Sequence, residues 1–135
     1  MDIASQILIV GGTTLLTFGL FMGIPMVLVR NRSAQAPRYL FAAHLVPIIQ
    51  GGLLLALTIA LDYASLPPWL ATMTAAFLVG GMALFVAGLA LNWLQGIKDA
   101  FAENAVGGKV SALGLPFVLS GGVFLLAGVY FRVLA

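Results

Sequence analysis

The chain has 135 residues, 62% of them hydrophobic and only 7% charged. A soluble domain carries roughly a quarter charged residues, so this composition describes a membrane protein. Six Lys and Arg against four Asp and Glu leave a formal charge of +2, too small a surplus to mark a nucleic-acid binder, and the lack of cysteine removes disulfides, thiolate metal sites, iron–sulfur clusters and covalent c-type haem.

Apolar stretches of about twenty residues cross a bilayer as helices. The first runs from about Ile3 to Val29. Asp2 stands where a secretory signal would be basic, and the apolar run is too long for a signal core, so a first helix of the mature chain is expected. The second helix is predicted from Tyr39 to Leu61, the third from Pro68 to Gln95 and the fourth from Leu113 to Leu134. Together they make one all-α transmembrane domain over residues 1–135, a four-helix bundle that is expected to oligomerise.

The connectors set the expected orientation. Residues 30–38 and 96–112 lie on one side of the membrane and hold Arg30, Arg32, Arg38, Lys98 and Lys109, whereas the other side has only Arg132. The positive-inside bias then puts both connectors in the cytoplasm, with the chain in the inner or plasma membrane. Asp62 reads as an interfacial residue at a helix end, just before the turn at Pro67 and Pro68.

Small residues are spaced for close helix contact. Gly19 and Gly23 form a GxxxG pair in the first helix, and Gly107, Gly114, Gly121 and Gly128 recur at seven-residue intervals. Ala76 with Gly80 and Ala83 with Ala87 are similar pairs in the third helix. Such positions let helix backbones approach where lipid offers no hydrophobic drive, either inside one bundle or between copies.

His44 is the one histidine and lies within the second apolar segment, near Pro47, Gln50, Gly51 and Gly52. A titratable group in hydrocarbon is costly and calls for a partner, a ligand or a metal. Residues seven apart in a helix nearly eclipse, so Gly51 shares the face of His44. An imidazole beside a patch without side chains suits a planar group, and haem is the obvious candidate. Gly88 on the third helix is expected at about the same depth. Arg38, Arg32 and Arg30 lie at the near end, placed for haem propionates. The plainer alternative makes His44 and Gln50 interhelical hydrogen-bond partners, His44 with Asn92 or a threonine. There is no HExxH motif, no complete P-loop and no carboxylate in mid-membrane.

The run Ala43-His44-Leu45-Val46-Pro47-Ile48-Ile49-Gln50-Gly51 resembles the second-helix motif Ala-His-x-x-Pro-x-x-Asn-Gly of the membrane-bound styrene oxide isomerases. The resemblance implies haem b held by His44 between neighbouring subunits of a homotrimer. It also implies a ferric iron acting as Lewis acid on a hydrophobic epoxide, which opens with a 1,2-hydride shift to an aldehyde. Gln50 would stand for the family's substrate-placing asparagine, and Asn92 would match a second one on helix three. His44 would be the metal ligand, with Gly51, Gly88, Arg38 and Arg32 around the cofactor. The family's helix-three tyrosine has no counterpart, since Gly88 or Leu89 stands at that position. The competing expectation is a non-enzymatic bundle, such as an accessory subunit of a larger membrane complex, with His44 a packing residue.

Overall fold

The computed structural model describes residues 2–134; Met1 and Ala135, which the expected 1–135 domain includes, lie outside the described residues. Within them the chain forms four helices: α1 Ile3–Arg30, α2 Arg38–Tyr63, α3 Pro68–Leu94 and α4 Val106–Leu134. Each is long and apolar enough to cross a membrane. The chain is an all-α membrane protein with the architecture of a four-helix bundle, as its composition requires.

Helix ends follow local chemistry. Asp2 caps α1 by accepting a 2.8 Å hydrogen bond from the Ser5 backbone N–H. Pro67 and Pro68 open α3, where a missing N–H has no cost. Gly96, at φ +67°, closes α3: its N–H reaches Trp93 O, and the Ile97 N–H reaches Asn92 O. This is a Schellman closure, in which glycine takes the left-handed conformation at low cost. Helix α2 continues unbroken through Pro47 and α4 through Pro116.

The fourth helix begins at Val106, seven residues before the expected Leu113. Hydropathy marks the lipid-facing part of a helix and misses a polar first turn. Here Gly107, Gly108 and Lys109 are helical because Gly107 packs on the Asn92 side chain and the Gly88 backbone of α3. The apparent connector 96–112 is therefore a shorter loop plus nearly two turns of α4.

α1 packs along α2 and α3 packs along α4; α3 also touches both helices of the first pair, while α4 meets α2 only sparsely and does not reach α1. Glycine seams account for the two close pairs. A Cβ on Gly51 would fall 2.6 Å from Gly12 O, and one on Gly19 would fall 2.9 Å from His44 O. On α4 the heptad glycines meet α3 in turn: Gly107 at Asn92, Gly114 at Gly81 and Gly121 at Leu78. Both seams therefore lie inside the bundle. Ala76, Gly80, Ala83 and Ala87, by contrast, are exposed on the outer face of α3.

Candidate functional site: an imidazole on the α1 seam and a cavity between α2 and α4

His44 faces α1. Its Nδ1 lies 2.7 Å from the carbonyl oxygen of Gly19. A carbonyl only accepts, so Nδ1 carries the proton and donates it. In the neutral ring the lone pair then belongs to Nε2, on the opposite side. Gly23 leaves the room the ring needs, for a Cβ there would come 3.2 Å from Cε1. The side chain is half-buried. The interhelical partner is thus a backbone carbonyl rather than Asn92 or a threonine.

The expected open patch beside His44 is absent within one chain. Gly51 does share the α1-facing side of α2, but Gly12 and Leu16 fill the space in front of it. Gly88 is covered by Ser111 and Gly107 of α4. Neither glycine therefore offers a flat surface to a macrocycle inside the bundle, because both were absent of side chain for helix packing. Arg32 is exposed in the first connector and does not line the cavity between α2 and α4.

Gln50, Asn92 and Arg38 share a different feature, at different depths: Arg38 and Gln50 stand about 18 Å apart along α2. They line a cavity of about 800 Å³ between α2 and α4, backed by α3. The size lies within the usual range of ligand pockets. Its walls are apolar, with Phe85, Leu89, Leu115 and Val118, and its mouth carries Arg38, Lys109, Ala100, Phe101 and Asn104. Two of the lining residues, Gln50 and Asn92, carry amide oxygens that are buried without a hydrogen-bond partner, and Asn92 Oδ1 is packed against Gly107 of α4. Leaving such an oxygen unpaired costs about 1–3 kcal/mol, which a ligand with a donor offsets. His44 and Gln50 are six residues apart, about 120° around the helix, so the first addresses α1 and the second the cavity.

The loop at the cavity mouth is built, not slack. The phenolic oxygen of Tyr39 accepts from the Ala100 N–H at 2.9 Å, tying the loop to α2. Asp99 Oδ1 accepts from the Phe101 and Ala102 N–H groups, and Glu103 Oε1 from those of Lys98 and Asp99. These bonds stabilise both carboxylates and hold the Asp99 and Glu103 carboxyls below their ordinary pKa. The sequence marks Tyr39 only as the start of the second apolar segment; its role in docking the loop depends on a fold contact. The same holds for Ser5, whose hydroxyl donates to Asp62 Oδ1 at 2.8 Å and ties the start of α1 to the end of α2.

Comparison with protein-family models, with curated proteins and with solved structures gave no match.

Proposed function

We propose that this chain is a haem-b-binding membrane protein resembling the styrene oxide isomerases. In this reading His44 would hold the haem iron at a face shared between copies of a homotrimer, and the protein would open a hydrophobic epoxide to an aldehyde. One observation carries the reading: His44 Nδ1 is engaged by Gly19 O at 2.7 Å, leaving Nε2 as the free lone pair. Histidines that bind metals commonly donate the other ring N–H to a carbonyl, which fixes the tautomer and raises ligand basicity.

The residues fit part of what a haem needs. The imidazole fits as a ligand, and a single histidine suffices for an iron already held by its macrocycle. The cradle does not fit inside one chain, since Gly51 and Gly88 are covered by neighbouring helices. A haem would therefore lie on the lipid-facing side of the α1–α2 pair and be enclosed by a second copy. When bound, ferric haem supplies a Lewis acid for an epoxide oxygen. The chain's own part would be to hold that iron through His44 and to offer the Gln50 and Asn92 amides in a water-poor cavity that admits substrate from the bilayer. The basic connectors 30–38 and 96–112 would face the cytoplasm from the inner or plasma membrane.

The test is an absorption spectrum of protein purified in mild detergent after haem supplementation, with and without dithionite. A Soret band that shifts on reduction and is lost in His44→Ala supports the ligand; a flat spectrum removes the haem reading. Conversion of an aryl epoxide by wild type, reduced in Gln50→Ala, supports the isomerase; no conversion by a haem-loaded protein removes that part alone.

The Gly19 bond also favours a second reading. An intramembrane histidine can serve only to join two helices, as in an accessory subunit of a larger complex. A flat spectrum together with lower stability of His44→Ala would select it.

A further inference from the structure

The α1–α2 pair and the α3–α4 pair are each closed along a glycine seam. Backbone meets backbone at Gly12, Gly19 and Gly51 in the first pair, and at Gly81, Gly88 and Gly107 in the second. Between the pairs, α2 and α4 touch only sparsely. Two hydrogen bonds join one pair to the other, at opposite ends of the bundle. At one end the Ser65 N–H of the α2–α3 connector donates to Gly128 O of α4 at 3.2 Å, and Leu66 and Ala64 pack where a Gly128 side chain would stand. The chain itself also passes from one pair to the other here. At the other end the Ala100 N–H of the α3–α4 loop donates to Tyr39 Oη of α2 at 2.9 Å.

The apolar core is divided along the same axis. Its larger part draws on all four helices, with Leu8 and Leu15 of α1, Leu54 and Leu61 of α2, Leu78 of α3 and Leu125 of α4, each in the half of its helix nearer Ser65. The smaller cluster, Met22, Tyr39, Leu40, Ala43 and Leu89, lies at the Tyr39 end and has no member from α4. The cavity occupies that place. It runs from Tyr39 and Ala100 to Gln50 and Gly81, which stand midway along α2 and α3. Packing therefore holds the Ser65 end, while the Tyr39 bond and the apolar contacts of Ile97 and Ala100 hold the other. The loop that carries Ala100 is stiff. Asp99 and Glu103 accept four of its N–H groups, the Ala105 N–H donates to Ala100 O, and Ala100 packs on Gly108 of α4. Such a loop follows α4 rather than absorbing a movement itself. Where α2 and α4 already stand apart, separating them further breaks little packing, which is the character of a low-stability opening.

We propose that the α1–α2 and α3–α4 pairs are two rigid halves hinged at the α2–α3 connector, and that Tyr39 Oη and the Ala100 N–H form the latch that controls entry to the α2–α4 cavity. Release parts α2 from α4 at the Tyr39 end and admits molecules from that membrane surface, as far as Gln50 at midspan. The device acts on the cavity that the proposed function uses, yet it rests on packing alone and needs neither haem nor His44.

The chain has no cysteine, so single introduced thiols report access directly. Leu89→Cys puts a buried thiol on the cavity wall, and Leu78→Cys puts one in the larger core. Each is made with and without Tyr39→Phe, which removes the acceptor and keeps the ring, and alkylation by N-ethylmaleimide is timed in dodecyl maltoside. Tyr39→Phe should speed alkylation of Leu89→Cys about fivefold, the shift that one ordinary hydrogen bond gives a two-state equilibrium, and leave Leu78→Cys unchanged. An unchanged rate at Leu89→Cys overturns the latch. Equal acceleration at both positions overturns the hinge, because the bundle would then be loosened throughout. Spin-label distances on lipid-exposed positions give a second measurement that disturbs no core residue. The pair Phe41→Cys/Leu113→Cys spans α2 and α4 toward the Tyr39 end, and Ile59→Cys/Tyr130→Cys spans them at the Ser65 end. Tyr39→Phe should lengthen or broaden the first distance distribution and leave the second as it was. No change in the first, or the same change in both, overturns the proposal. A flat haem spectrum would remove the haem reading and leave these results standing.

Discussion

His44 and Gly19 join α2 to α1 through a hydrogen bond of 2.7 Å between imidazole Nδ1 and a backbone carbonyl. Two consequences follow from the same contact. The helices must lie close enough for a side chain to reach a backbone oxygen, and the imidazole must present Nε2 to the other side.

Gly19→Ala should separate these helices. Its Cβ would lie 2.9 Å from His44 O and 3.0 Å from Ile48 N, both backbone atoms that cannot rotate away. Overpacking of this kind costs about 1–3 kcal/mol. Gly23→Ala meets only the imidazole edge, at 3.2 Å, so it should displace the ring with little loss of stability. Unfolding in mixed micelles measures the first effect, and the position of any Soret band the second. Equal stability of the two variants would contradict the packing described.

The α3–α4 seam gives a sharper contrast. Gly114→Ala drives a methyl into the Gly81 carbonyl, whereas nothing lies within 4 Å of a Cβ on Gly80 or Gly122. The first should lose about 1–3 kcal/mol. The other two should be neutral or slightly stabilised, since alanine favours helix over glycine by up to about 1 kcal/mol. Thermal unfolding of the three variants side by side checks this.

The loop at the cavity mouth should loosen in acid. Backbone N–H groups of Ala102 and Phe101 hold the Asp99 carboxyl below its ordinary pKa, and those of Asp99 and Lys98 do the same for Glu103. A carboxyl depressed in the folded state contributes order that is present above its unfolded pKa, about 4. That order is lost as pH falls through the lower folded value. Amide exchange at Lys98, Asp99, Phe101 and Ala102 should therefore gain an acid-labile component at pH about 4 and below, relative to the intrinsic rate. Asp99→Asn with Glu103→Gln should remove that pH dependence. Tyr39→Phe should speed exchange at Ala100 at every pH, because it removes the acceptor of that N–H.

Ser5 and Asp62 should show coupling in a double-mutant cycle. The hydroxyl–carboxylate bond of 2.8 Å links the first turn of α1 to the last turn of α2. Hydrogen bonds to charged groups are worth about 1.5–3 kcal/mol, and exposure of Asp62 to the interface puts the expected coupling at about 1 kcal/mol. Additive losses in Ser5→Ala and Asp62→Asn would show the contact contributes nothing.

Much of the fold was legible from hydropathy. Helix boundaries from the apolar runs agree with α1, α2 and α3 to within two residues, and the prolines at 67 and 68 mark the α3 start correctly. Lys109 and Gly107 mislead for the same reason that they matter. A polar, glycine-rich segment reads as a connector until Asn92 of α3 is seen to fill the place of the missing Gly107 side chain. Of the candidate site, Arg38, Gln50 and Asn92 line one cavity at different depths, while His44 and Gly51 belong to the α1 seam and Gly88 to the α4 seam.

By itself the sequence determined four spans and a basic end. Lipid forces every backbone polar group to be paired within a segment, so twenty apolar residues can only become a helix. Tertiary structure decided which way each helix turns. These helices are apolar almost all round, and without a polar face there is no periodicity from which to read rotation. Backbone contact at Gly12, Gly19 and Gly51 sets the rotation of α2 instead. That rotation aims His44 at Gly19 and Gln50 into the cavity, separating two residues that the sequence places six apart.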